Sequence, residues 1–149
     1  NAVGLVLRFV RSVDLQSATP RDTPPEGPEG ARLLAEALYK NAVLDEVSAA
    51  SQAFGDEGAI ALSHQLWMNT QLKVLNLQAN GIGEAGAASL AEAIAGNAGT
   101  ALTELNLNCN ELGSAGCVHL AEMLRKNRSL VQIQLQRNGI GAGGAPGVG

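Results

Sequence analysis

Aromatic residues make up only 3% of this 149-residue chain, so any core it forms is aliphatic. The hydrophobic content of 46% supplies one as Leu, Ala, Val and Ile. Basic residues are also sparse, ten scattered Lys and Arg against fourteen acids, for a net charge of −4. Without a basic stripe to neutralise phosphates, nucleic acid is not an expected partner. Long apolar runs are missing as well; the stretch Gly4 to Leu7 is far too short to cross a bilayer, so no membrane insertion is expected. The two cysteines, Cys109 and Cys117, build no disulfide framework, which favours a reducing, cytoplasmic compartment. The column of alanines that Cys117 joins predicts a buried thiol there, and Cys109 is expected to be partly exposed. The two histidines, His64 and His119, have no metal-binding neighbour at ligand spacing, and no metal, cofactor or small-molecule substrate is expected.

What is abundant is one recurring phrase. It reads Leu44-x-x-Val47, Leu72-x-x-Leu75-x-Leu77-x-x-Asn80, Leu102-x-x-Leu105-x-Leu107-x-x-Asn110 and Leu130-x-x-Ile133-x-Leu135-x-x-Asn138. The first leucines step by 28, 30 and 28 residues, the period of leucine-rich repeats that carry a helix in each unit. Fourteen residues after each comes a glycine, Gly58, Gly86, Gly116 or Gly144. An amphipathic stretch follows the middle two and ends at Asn97 or Asn127, with Leu90/Ile94 and Leu120/Leu124 placed on one inward helical face. The same stretch from Gly30 to Asn41 implies an earlier strand, supplied by Val10-x-x-Val13-x-Leu15.

The fold class is therefore α/β, a leucine-rich-repeat solenoid. Alternate strand leucines point inward, and strands about 4.8 Å apart against helices roughly 8 to 10 Å apart bend the stack with the parallel sheet inside. A single domain spanning 1–149 is expected to hold about five units, near 10–43, 44–71, 72–101, 102–129 and an incomplete 130–149. Four prolines within 19–29 predict an insertion loop, and the glycine-rich sequence after Gly141 predicts no helix. The repeat asparagines are expected to bond buried main-chain groups in a ladder, with a looser turn where Gln52 replaces one. A linear stack needs polar caps, and neither terminal region resembles one. The chain is accordingly expected to be a segment of a longer protein or larger assembly, with residues 1–10 pairing as an extra strand or touching another chain.

The pattern L-x-x-L-x-L-x-x-N-x-I-G-x-x-G-A-x-x-L-A-E-A-L-x-x-N across residues 44 to 141 resembles the ribonuclease-inhibitor class of leucine-rich repeats. That class includes the sensor region of NOD-like receptors and the Ran GTPase-activating protein. The resemblance implies a non-enzymatic scaffold that binds a protein on its concave face or rim. It leaves two other readings open, a GTPase-activating regulator and a sensor segment of a NOD-like receptor.

Several motifs tempt another assignment. Gly81-x-Gly83-x-x-Gly86 lies between a strand and a helix, as a dinucleotide loop would, but Gly139-x-Gly141-x-x-Gly144 repeats it in the structural period. His64 shares its column with Glu36, Glu92 and Glu122, a solvated position, and Asn127-Arg-Ser129 is a sequon built on the repeat's own terminal Asn. No catalytic residue stands out. The concave face is predicted to present Ser12, Asp14 and Gln16; Glu46, Ser48 and Ala50; Val74, Asn76 and Gln78; Glu104, Asn106 and Asn108; and Gln132, Gln134 and Gln136. It is amide-rich and mildly acidic, which suits a polar or modestly basic protein segment. Tyr39 and Trp67, aligned late on their helices, either pack between helices or anchor a partner on the convex side.

Overall fold

The computed structural model describes residues 11–16 and 26–141. The expectations for residues 1–10, for most of the proline-rich loop and for the tail beyond Gly141 lie outside them. Strand and helix alternate: β1 (Ser12–Asp14), α1 (Pro28–Lys40), β2 (Glu46–Ser48), α2 (Gly55–Leu66), β3 (Val74–Asn76), α3 (Glu84–Gly96), β4 (Glu104–Asn106), α4 (Gly113–Lys126) and β5 (Gln132–Gln134). The strands form one parallel sheet in sequence order, and equivalent residues pair without slip, as in Val47↔Leu75↔Leu105↔Ile133. The fold is an α/β leucine-rich-repeat solenoid.

Each strand is three residues long because only its central residue and the leucine beyond it turn inward. Val47, Leu75 and Leu105 are buried from the strand centres, and Leu77 and Leu107 from the positions that follow. Leu34, Leu62, Leu90 and Leu120 meet them from the helices. The glycine column lets successive helices close up: a Cβ on Gly58 would stand 2.8 Å from the Ala31 Cβ, and one on Gly86 would stand 3.0 Å from the Ala59 Cβ. Such contacts admit hydrogen but no methyl group.

Two sets of asparagines satisfy the main chain where the chain changes direction. In the first, Asn110 Oδ1 accepts the amides of Asn80 (2.9 Å) and Ile82 (3.0 Å), while its Nδ2 donates to the carbonyls of Leu77 (2.9 Å) and Leu107 (3.0 Å). Asn80 serves the preceding turn through the Gln52 amide and the Ala49 carbonyl, and Asn138 the following one through the Leu112 amide and the Leu107 carbonyl. The second set closes the helices: Asn41, Asn69 and Asn127 each accept from amides two and three residues ahead, at 2.7 to 2.9 Å. Asn97 reaches only the Gly99 amide, because the two additional residues before Leu102 move its amide away, and the Thr100 hydroxyl accepts that bond instead.

Four expectations need correction. The turn at Gln52 is not loose: the oxygen that braces it comes from Asn80 of the next unit, and Ser51 shares its left-handed backbone (φ 58°) with Ala79, Cys109 and Arg137, so the irregularity is confined to Ala53, which is left-handed (φ 55°) where other units have Gly81 or Gly139. Ala50 is buried and does not face solvent. Cys117 is only half-buried, although burial raises its thiol pKa above the ordinary value. Leu124 is 39% exposed whereas its equivalent Ile94 is 1% exposed, since α4 covers Ile94 and no described element covers α4.

Candidate protein-binding face

Strand pairing sorts the solvent-facing side chains into rows that run across the sheet. Ser12, Glu46, Val74, Glu104 and Gln132 form one row, and Asp14, Ser48, Asn76, Asn106 and Gln134 the next. A third row, beyond the strand ends, holds Gln16, Gln78, Asn108 and Gln136. Glu46, Val74, Glu104, Asn76, Asn106 and Gln132 line a shallow depression of about 200 Å³.

The amides of the second and third rows are largely occupied with one another. Asn76 Nδ2 donates to Ser48 Oγ, Asn106 Nδ2 to Gln78 Oε1 and Asn108 Nδ2 to Gln134 Oε1, each at 3.2 Å. The Oδ1 atoms of Asn76, Asn106 and Asn108 also accept the main-chain N–H groups of Gln78, Asn108 and Gln136, at 2.8 to 3.0 Å. A side chain tied at both ends holds its shape and offers little hydrogen-bonding capacity to a guest.

The first row is different. Glu46 and Glu104 are exposed, neither forms an ion pair among the described residues, and half-buried Val74 lies between them. With strands about 4.8 Å apart, the two carboxylates sit roughly 10 Å from each other across an apolar floor. Just outside, Asp45 is engaged: its Oδ2 meets the Arg11 guanidinium at 2.8 Å and the Lys73 ammonium at 4.0 Å. The Arg11 hydrogen bond, with the charges of Arg11 and Lys73 adding to it, holds the Asp45 carboxyl below its ordinary pKa.

Tyr39 and Trp67 do not join this face. Trp67 ends α2, 43% exposed, with its ring laid over Gly96 at the end of α3. Tyr39 is 71% exposed and borders a groove of about 290 Å³ shared with Met68, itself 70% exposed. Sequence reasoning missed Met68, although its place directly after Trp67 at a helix end was the available signal.

The apparent nucleotide loop is filled by the protein itself. The amides of Gly83 and Gly86 donate to Asp56 Oδ1 at 2.7 and 2.8 Å, so a carboxylate of the preceding unit stands where a phosphate would have to sit. Asn127 of the sequon ends α4, its main-chain amide donating to the Met123 carbonyl, while its Oδ1 accepts the amides of Ser129 and Leu130 and its Nδ2 donates to Ser129 Oγ at 3.1 Å. His64 is exposed, and His119 Nε2 lies 3.7 Å from Glu84. Among the described residues no three His, Cys, Asp or Glu side chains gather as a metal site, and no helix is long and apolar enough to cross a membrane.

Comparison with known proteins agrees with this architecture. A family model described as Leucine Rich repeat matches residues 69–91, 100–121 and 126–145. No curated protein matches the chain. Among solved structures, one described as Leiomodin-1 Actin-Binding Site 2 superposes with a TM-score of 0.69 over 90% of this chain and 75% of its own, at 22% identity. At that identity the likeness shows the fold.

Proposed function

We propose that this repeat array is a non-enzymatic protein-interaction module that engages a basic segment of its partner on the concave face. The observation that carries the reading is the row Glu46, Val74, Glu104, two carboxylates with no ion pair among the described residues about an apolar side chain, on a face where Asn76, Asn106 and Asn108 are tied to Ser48, Gln78 and Gln134. An arginine or lysine of the partner lays its methylene stem on Val74 and brings its cation to one or both carboxylates. Ser48, Asn76, Gln78, Asn106, Asn108 and Gln134 act as a hydrogen-bonded polar surround, and exposed Gln132 and Gln136 add side-chain amides without a partner among the described residues.

Two further features support an interaction role. The strand side carries an open depression, a shape that suits a polypeptide. The similar solved domain is described as an actin-binding site, which favours a protein partner without naming this one. The step of 28, 30 and 28 residues supports placing the repeats in the ribonuclease-inhibitor class. The free thiols Cys109 and Cys117 fit an intracellular setting.

The test is affinity capture with the intact chain, comparing it with a Glu46→Lys/Glu104→Lys variant, and actin co-sedimentation as a separate arm. A partner retained by the parent protein and lost by the variant, with binding that weakens as salt rises, is the expected result. Equal capture by both proteins removes the concave face as the site.

A further inference from the structure

We propose that the basic segment received by the concave face is an α-helix lying across the strands, with cations at helix positions i and i+7 and an apolar residue at i+3 or i+4 between them. This rests on the concave-face reading and adds the form of the guest. Neighbouring strands stand about 4.8 Å apart, so Glu46, Val74 and Glu104, aligned on β2, β3 and β4, repeat at about that distance along the shallow depression. An α-helix returns a side chain to one face after three or four residues, a rise of about 4.5 to 6 Å, and again after seven, about 10.5 Å. Each turn of such a helix meets one strand. An extended chain repeats its face every second residue, about 6.8 Å, and falls out of step with the row. A polyproline helix sets residues i and i+3 about 9.3 Å apart, close to the separation of the two carboxylates, but turns no side chain toward Val74.

Main-chain bonding favours the same guest. β2, β3 and β4 each pair with a strand on either side, so the floor of the depression has no open edge to which an extended guest could add. The side-chain amides beside the row are occupied as well, Asn76 with Ser48 and Asn106 with Gln78. A helix satisfies its own amides and carbonyls, and from this floor it needs only side-chain contacts. Charge then fixes what those contacts are. Asp45 at the rim is held by Arg11 and Lys73, whereas Glu46 and Glu104 have no ion pair among the described residues. Two carboxylates with an apolar side chain between them are matched by two cations with an apolar side chain between them.

Fluorescence anisotropy with the full chain tests this, using three labelled peptides of equal charge. The first is an alanine-based helix with Arg at i and i+7 and Leu at i+3. In the second, the later Arg is moved two residues on, which carries it to the opposite face of the helix. The third is a proline-rich chain with Arg at i and i+3. The first peptide is expected to bind and the second to bind about ten-fold or more weakly. Glu46→Lys/Glu104→Lys should lose the first peptide and gain its counterpart with Glu in place of both arginines, an exchange that damage to the fold would not produce. Equal binding of the two helices, loss without that exchange, or preference for the proline-rich chain overturns the helical guest. In those cases a basic peptide still held through Glu46 and Glu104 leaves the concave-face reading standing. Binding of none of the three, or binding that the charge reversal does not alter, overturns both.

Discussion

Asp56 caps a helix in the unit after its own: its Oδ1 accepts the amide of Gly86, 30 residues ahead, at 2.8 Å, together with that of Gly83. The same column holds Glu84 and Ser114 in the next two units, and Ser114 Oγ accepts the Gly141 amide at 3.2 Å in the same manner. Glu84 points instead toward His119. A carboxylate at the first turn of a helix gains from both the free amides and the helix dipole. Asp56→Ala should therefore lower stability by about 1 to 3 kcal/mol in urea denaturation, and Asp56→Asn, which keeps the accepting oxygen, by less. An unchanged midpoint for Asp56→Ala would remove this role.

The sheet, the helices and the inward leucines were legible because each is repeated, and a period of about 28 residues filters chance matches. The Asp56 cap was not, since its partners lie one unit away and its column changes residue type from Asp to Glu to Ser. The concave rows could be read from alternation alone, but alternation does not say which amides bond each other. Thus alternation places Asn76, Asn106 and Asn108 on the face without showing that they donate to Ser48, Gln78 and Gln134, whereas Glu46 and Glu104 have no ion pair among the described residues. Ala50 shows the limit of a two-residue alternation: its column-mates Gln78, Asn108 and Gln136 reach the solvent-facing row after the same backbone turn, whereas a methyl group there is too short to do so and stays buried. Leu124 shows another: a column is buried only where a neighbour exists to bury it.

Asn110 is the most heavily engaged side chain of the ladder, with two amides on its oxygen and the Leu77 and Leu107 carbonyls on its nitrogen. Replacing it with alanine leaves several buried main-chain groups without partners at once. Asn110→Ala should cost about 3 to 5 kcal/mol, whereas Asn138→Ala, whose oxygen accepts only the Leu112 amide at 3.4 Å, should cost less. Chemical denaturation of the two variants gives the comparison, and equal losses would contradict the ladder's inequality.

Asp45 gives the fold a pH dependence of defined sign. Its folded pKa lies below the ordinary carboxylate value, first through the Arg11 hydrogen bond. A depressed acid contributes stability that is present above its unfolded pKa and is lost as pH falls through the folded one. The stability difference between the parent protein and Asp45→Asn should accordingly be present at neutral pH and disappear in acid. Arg11→Ala should remove most of the difference. Thermal melts of the three proteins across the acid range decide it, and a gap that persists at the acid end would contradict the assignment.

Trp67 and Gly96 make the last relationship open to measurement. A Cβ on Gly96 would stand 2.0 Å from Trp67 Cζ3, so any side chain there displaces the indole. Alanine near the end of α3 gains up to about 1 kcal/mol in helix propensity, and moving a partly exposed ring into solvent costs about as much or somewhat more. Gly96→Ala should therefore change stability by no more than about 1 kcal/mol while shifting the emission of the chain's single tryptophan to longer wavelength. Unchanged emission would mean that the ring does not rest on Gly96. The expected shift would place Trp67 as cover for the junction between α2 and α3, which leaves Tyr39 and Met68 as the exposed apolar groups flanking the groove at the ends of the first two helices.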